Sequence, residues 1–179
     1  MGDNRLSKII FIIGGCKSGK SNFAQKLSLE IESNQRIYLA TGVVTDKEMD
    51  RRVKRHREQR KGLFETVECP YDLIEEIEKR QKEGTLLLVD CLTMWINNLL
   101  FKGYSFEEIE KKIENFVDRI NNARGTIVLV SNEVGLGIVP DNELSRQFRD
   151  LAGMFHQKVA SVAHQVYFVV CGIPTLIKG

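Results

Sequence analysis

Long apolar runs, paired cysteines and an excess of either charge are all missing from this chain of 179 residues. The apolar run nearest the N-terminus, Ile9 to Ile13, spans five residues and stops at Gly14. That is too short for the core of a secretory signal and far short of a bilayer crossing. Position six is Leu6, not Ser or Thr, which argues against N-myristoylation. The expectation is a cytoplasmic protein with no membrane insertion. The four cysteines, Cys16, Cys69, Cys91 and Cys171, stand far apart, without a Cys-x-x-Cys pair or zinc-like Cys/His spacing. A zinc finger and a disulfide framework are thereby excluded, and all four are expected as reduced core thiols. Lys and Arg number 26 against 24 Asp and Glu, a formal charge of +2. That balance excludes a chain-wide nucleic-acid-coating surface, so any anion binding has to come from a local patch. Linker-like Pro/Gly/Ser tracts, repeats and low-complexity segments are also missing, which leaves 1–179 as one expected domain.

What is present is an alternation. Short β-branched runs lie at 8–13, 36–41, 64–68, 85–90, 126–131 and 166–171. Several are apolar almost throughout, as strands covered on both faces must be. Helical patterns at 20–31, 46–60, 71–82, 92–101, 105–122 and 142–164 separate them. The stretch opening at Ser105 has the Ser-x-x-Glu capping arrangement, and Ile109, Ile113, Phe116 and Ile120 then mark one helical face. The alternation predicts an α/β fold: a mostly parallel sheet with helices on both faces, binding ligands beyond the carboxyl ends of its strands.

The first strand end carries a motif. Gly14 to Ser21, GGCKSGKS, satisfies Gly-x-x-x-x-Gly-Lys-Ser between a strand and a helix. In such a loop the backbone N–H groups of Gly14, Gly15, Cys16, Lys17, Ser18 and Gly19 curl around phosphate. Lys20 reaches the β and γ oxygens, and the Ser21 hydroxyl takes a Mg²⁺ position. A ligand-free Gly-rich turn is the alternative, disfavoured by the flanking strand and helix. Asp90, ending TLLLVD, is the expected second Mg²⁺ ligand; capping the helix that starts at Leu92 is an alternative compatible with it. The fold expectation narrows to P-loop NTPase-like, of RecA-like arrangement. No Asn-Lys-x-Asp guanine reader occurs, and Asp90 is followed by Cys-Leu-Thr, which argues against a switch GTPase.

Three further segments are distinctive: YLATGVVTDKEMDRRVKRHREQR (38–60), VDCLTMWINNLLF (89–101) and VSNEVGLGIVPDNELSRQFRDLAGMFHQKVA (130–160). With the phosphate loop, they make the chain resemble the bifunctional adenosylcobinamide kinase/adenosylcobinamide-phosphate guanylyltransferase family of cobalamin biosynthesis. The resemblance runs from the loop nearly to the last residue. It implies phosphorylation of the aminopropanol-arm hydroxyl of adenosylcobinamide with ATP or GTP, then transfer of GMP from GTP through a GMP-histidine. The matching histidine is His56. The resemblance further implies nucleotide contacts at Thr41, Gly42, Val43, Arg57, Glu58, Gln59, Arg60 and Glu68, the last reading guanine through its carboxylate. It also implies a homotrimer.

Chemistry supplies reasons for a histidine among cations. Neutral imidazole is a good nucleophile toward phosphorus, and a positive field favours the neutral form. Seven cations fall between Arg51 and Lys61. Some of them can offset charge on a pyrophosphate leaving group. The alternative is an ordinary solvated basic face around a surface histidine. A nucleic-acid patch is weaker, because the run lacks interleaved aromatics. His156 and His164 read as structural, His164 as a cation suiting a helix C-terminus. Asn132, Glu133, Gly135 and Gly137 are assigned to the substrate side. Cys16 and Lys17 occupy positions where the family commonly has small or Arg residues, and Cys16 is expected to make the loop oxidation-sensitive. Two rivals stand: a P-loop kinase of another small alcohol, with His56 incidental, and a nucleotide-gated nucleic-acid-binding module.

Overall fold

The computed structural model describes residues 7–43, 58 and 62–179. Among these described residues seven strands form one sheet: β1 (Ser7–Gly14), β2 (Gln35–Ala40), β3 (Glu65–Glu68), β4 (Thr85–Asp90), β5 (Gly125–Asn132), β6 (Gln165–Val170) and β7 (Ile173–Lys178). Their order is β3-β2-β4-β5-β1-β6-β7. All neighbours are parallel except the β6–β7 hairpin. Among the described residues the helices are α1 (Lys20–Glu30), α2 (Leu73–Arg80), α3 (Leu92–Phe101), α4 (Phe106–Asn121) and α5 (Glu143–Val162).

Covering both faces explains why the central strands are apolar at consecutive positions. Ile9 and Phe11 of β1, Leu87 and Val89 of β4, and Ile127 and Leu129 of β5 pack against α2 to α5. The intervening Ile10, Ile12, Leu86, Leu88, Val128 and Val130 pack with Ala24, Phe23 and Leu27 of α1. Trp95, Phe116 and Phe155 join α3, α4 and α5, with Trp95–Phe116 and Phe116–Phe155 ring centroids 5.5 and 5.4 Å apart. The predicted cap of α4 is present: Ser105 Oγ accepts from the Glu108 N–H, and the Glu108 carboxylate accepts from the Ser105 N–H. No helix among the described residues is long and apolar enough to cross a membrane.

The expected helix at 46–60 lies outside the described residues except for Glu58, which is helical and exposed. Three expectations need correction. Strand β7 was not foreseen, because Cys171 disguises a two-residue turn in which Cys171 (φ 52°) and Gly172 (φ 79°) both take left-handed backbone. Only Cys69 and Cys91 are core thiols; Cys16 and Cys171 are exposed because each sits on a loop at the strand ends. The His164 ring is not turned to a helix end: its Nδ1 accepts from the Ile9 N–H at 3.0 Å, while the His164 backbone N–H donates to Ile9 O. It stitches the start of β6 to β1.

Candidate nucleotide site

The parallel register gathers the site on one edge of the sheet. Gly14 lies opposite Asn132, Asp90 opposite Val130, and Ala40 opposite both Asp90 and Glu68. The phosphate loop, Thr41, Glu68, Asp90 and Asn132, far apart in sequence, thereby emerge side by side.

Crowding and dihedrals dictate the glycines of the loop. A Cβ on Gly14 would lie 2.4 Å from the Val169 carbonyl oxygen and 2.8 Å from Ser18 Oγ. Gly19, the N-cap of α1, has φ 98°, a conformation that costs glycine little and other residues much. Gly15 meets nothing within 4 Å, so its side is open. No side chain caps α1, and its first turn holds no acid, which leaves a helix N-terminus suited to an anion. Ser18 Oγ is buried without a partner among the described residues.

Lys20 is only 6% exposed, and its Nζ donates to Gly15 O at 2.7 Å. Burial pulls its pKa below the ordinary lysine value, opposed by the nearby Cys91, Asp90 and Cys16. Its ammonium is thus held inside the loop, where phosphate oxygens arriving from solvent can replace a carbonyl. Ser21 follows on the first turn of α1, partly exposed.

Asp90 is held by Tyr38, whose hydroxyl donates to Oδ2 at 2.6 Å. The N-cap of α3 is Cys91, with no side-chain cap, so Asp90 does not cap that helix. Beneath it runs a buried polar network. Thr41 Oγ1 donates to Cys91 O and accepts from the Cys91 N–H, both at 2.8 Å. Asn98, 5% exposed, donates from Nδ2 to Thr41 O at 2.7 Å and to Pro70 O at 3.0 Å. Thr93 Oγ1 accepts from both the backbone and the side-chain nitrogen of Asn132. The polar groups of Thr41 are therefore engaged inside the protein, and exposed Gly42 and half-buried Val43 are the parts of that segment facing outward. Burial pushes the Cys91 thiol up to about 11 and the Cys69 thiol up to about 12, so both are inert.

On the next strand end, the Glu133 N–H donates to Gly14 O at 2.8 Å. The Glu133 carboxylate accepts from the Gly135 and Leu136 N–H groups at 2.7 and 3.0 Å, which fixes the loop that follows. His156, read as structural, is tied into the core: its Nε2 shares a 2.8 Å hydrogen bond with the buried Ser131 hydroxyl. Burial lowers its pKa to about 4, with Glu133 opposing. His56, Arg57, Gln59 and Arg60 lie outside the described residues. Sequence reasoning missed Tyr38, Thr93 and Asn98, whose roles depend on contacts between distant segments, and the turn at Cys171 and Gly172. The turn had a legible signal in a Gly-containing pair between two β-branched runs.

A loop of this form between a parallel strand and a helix, with an acidic strand end two strands away, defines a P-loop nucleotide-binding protein. Solved structures agree at the level of fold. The flagellar accessory protein FlaH from Methanocaldococcus jannaschii aligns over 96% of this chain and 78% of its own, with TM-score 0.52 and 13% identity. A prototypical ATPase from a bacterial type III secretion system aligns over 90% of this chain and 50% of its own, with TM-score 0.54 and 13% identity. The family profile described as "Cobinamide kinase / cobinamide phosphate guanyltransferase" matches residues 10–177. The chain is 40% identical over 169 residues to the bifunctional adenosylcobalamin biosynthesis protein CobP of Pseudomonas aeruginosa, covering 94% of this chain and 96% of that one. It is 35% identical over 182 residues to the corresponding protein CobU of Escherichia coli, covering 95% and 99%. The chain belongs to the cobinamide kinase/cobinamide phosphate guanyltransferase family.

Proposed function

We propose that this protein, working as one catalytic domain in the cytoplasm, carries both reactions of its family. In the first, the hydroxyl oxygen of the aminopropanol arm of adenosylcobinamide attacks the γ-phosphorus of ATP or GTP. The bond to the β–γ bridging oxygen breaks, and the hydroxyl proton leaves to a base. In the second, a ring nitrogen of His56 attacks the α-phosphorus of GTP and pyrophosphate departs. A phosphate oxygen of adenosylcobinamide phosphate then displaces the histidine, giving adenosylcobinamide-GDP. The observation that carries this reading is the family match over residues 10–177 joined to an intact phosphate loop with Lys20 buried inside it.

The residues of the site suit these roles. Lys20, placed over the Gly15 carbonyl, offsets charge building on the β and γ oxygens. Ser21 and Asp90 offer one hydroxyl and one carboxylate, a donor set that suits a Mg²⁺ completing its shell with water and phosphate. Tyr38 engages one Asp90 oxygen and orients the other. No group of three or more His, Cys, Asp or Glu among the described residues forms an all-protein cage for a metal. Mg²⁺ there would neutralise phosphate charge. Gly42 and Val43, just beyond the end of β2, and Glu68, which ends β3, form the guanosine side with Arg57, Glu58, Gln59 and Arg60. Asn132 and the loop fixed by Glu133 face the corrinoid. A homotrimer completes the corrinoid cleft, and nucleic acid is not a partner.

Incubation of purified protein with adenosylcobinamide, Mg²⁺ and GTP, followed by mass analysis, tests the assignment. The expected product carries GDP. Accumulation of the phosphate ester alone would leave a plain kinase, and no consumption of the corrinoid would refute both steps.

A further inference from the structure

The β6–β7 hairpin is built into the phosphate loop, and neither reaction as described above uses it. The Gly172 N–H donates to Ser18 O at 2.8 Å. A Cβ on Gly19 would come within 3.0 Å of Gly172 Cα, and one on Gly14 within 2.4 Å of Val169 O. The tip of the hairpin is therefore in van der Waals contact with the loop. Val170 and Ile173, opposed across the ladder, share a face and are 50% and 68% exposed. Such an aliphatic pair beside an anion site is poorly used if only phosphate binds there.

Sheet order gives the patch an occupant. From β1, Asp90 lies to one side, across β5 on β4, and the hairpin lies to the other side on β6 and β7. A triphosphate in the loop with its γ end toward Ser21 and Asp90 must direct its α-phosphate and nucleoside away from β4. The group it meets on that flank is the Cys171–Gly172 turn with Val170 and Ile173. We infer that this hairpin tip is the nucleoside wall for the phosphate donor of the kinase step, on the opposite flank of the loop from Gly42, Val43 and Glu68. The inference rests on the proposed kinase reading. An aliphatic wall supplies contact area to any base but no hydrogen-bonding side chain to choose between purines. The donor site is accordingly a nucleoside triphosphate site with weak base selectivity.

Native thiols report on this directly. In the full chain, alkylation by iodoacetamide is followed by peptide mass analysis at Cys16 in the loop and Cys171 in the turn, both exposed, while Cys69 and Cys91 are buried. The ligands compared are Mg²⁺ with inorganic tripolyphosphate and Mg²⁺ with a non-hydrolysable ATP analogue. Both ligands are expected to slow Cys16, and only the nucleotide to slow Cys171. In parallel, Ile173→Asp is expected to weaken binding of the ATP analogue about tenfold, with tripolyphosphate binding unchanged. Equal protection of Cys171 by both ligands, or by neither while Cys16 is protected, would overturn the assignment of the hairpin and leave the kinase reading standing. Failure of either ligand to protect Cys16 would instead remove the phosphate-loop reading and the hairpin assignment with it.

Discussion

Replacing His156 by Gln should flatten part of the acid dependence of stability. The ring is buried between Phe11, whose centroid is 5.8 Å away, and the Ser131 hydroxyl, and burial lowers its pKa from 6.5 to about 4. In the unfolded chain His156 takes up a proton as the pH falls below 6.5; in the folded protein it does so only near 4. Stability is therefore complete above the unfolded value and declines as pH falls through this window. At about 1.4 kcal/mol per pH unit the decline integrates to about 3 kcal/mol. For a domain of this size that corresponds to about 6–12 °C in Tm. Other groups titrate in the same range, so the quantity to measure is the difference between wild type and His156→Gln, by urea unfolding from pH 7.5 to 4. The difference should be constant above 6.5 and shift by about 3 kcal/mol in favour of the variant by pH 4. A difference that stays constant across the range would refute the burial argument, whatever the absolute stabilities.

Asn98→Leu keeps the volume but leaves the Thr41 and Pro70 carbonyls without their donor, and should cost about 2–4 kcal/mol in denaturant unfolding. The two loop glycines should separate cleanly. Gly14→Ala puts a methyl group against the Val169 carbonyl and should lower both stability and nucleotide affinity, whereas Gly15→Ala, with open space around it, should unfold as wild type does. Lys20→Ala should lower kinase kcat about 100- to 1000-fold with little loss of fold, measured by single-turnover kinetics beside a melting curve. Ser105→Ala removes the capping box of α4 and should cost about 1 kcal/mol without altering either activity.

Much of the fold was legible because its signals are local. The consecutive apolar residues of β1, β4 and β5 announce a sheet covered on both faces, and Ser105 and Glu108 mark a helix start by their spacing. The phosphate loop is equally local: eight contiguous residues fix a strand end, a turn and a helix N-terminus. What escaped depends on register. Tyr38 meets Asp90 because β2 pairs with β4, and Asn98 meets Thr41 because α3 folds back under that edge. No spacing within either segment encodes those meetings. His164 was misread for a related reason, since a histidine after a helix looks like a dipole partner until β1 supplies a backbone donor for its Nδ1. The hairpin was a different failure, a turn hidden by an uncommon residue at its first position.

The two-step account turns on a covalent nucleotide at His56. Incubation with Mg²⁺ and GTP labelled at the α-phosphate, then denaturation, should leave label on the wild-type chain and none on His56→Ala. That label should be lost in acid and kept in base, as a phosphoramidate requires. Absence of label from wild-type protein that still binds GTP would contradict the account and leave a kinase whose basic segment is plain surface charge.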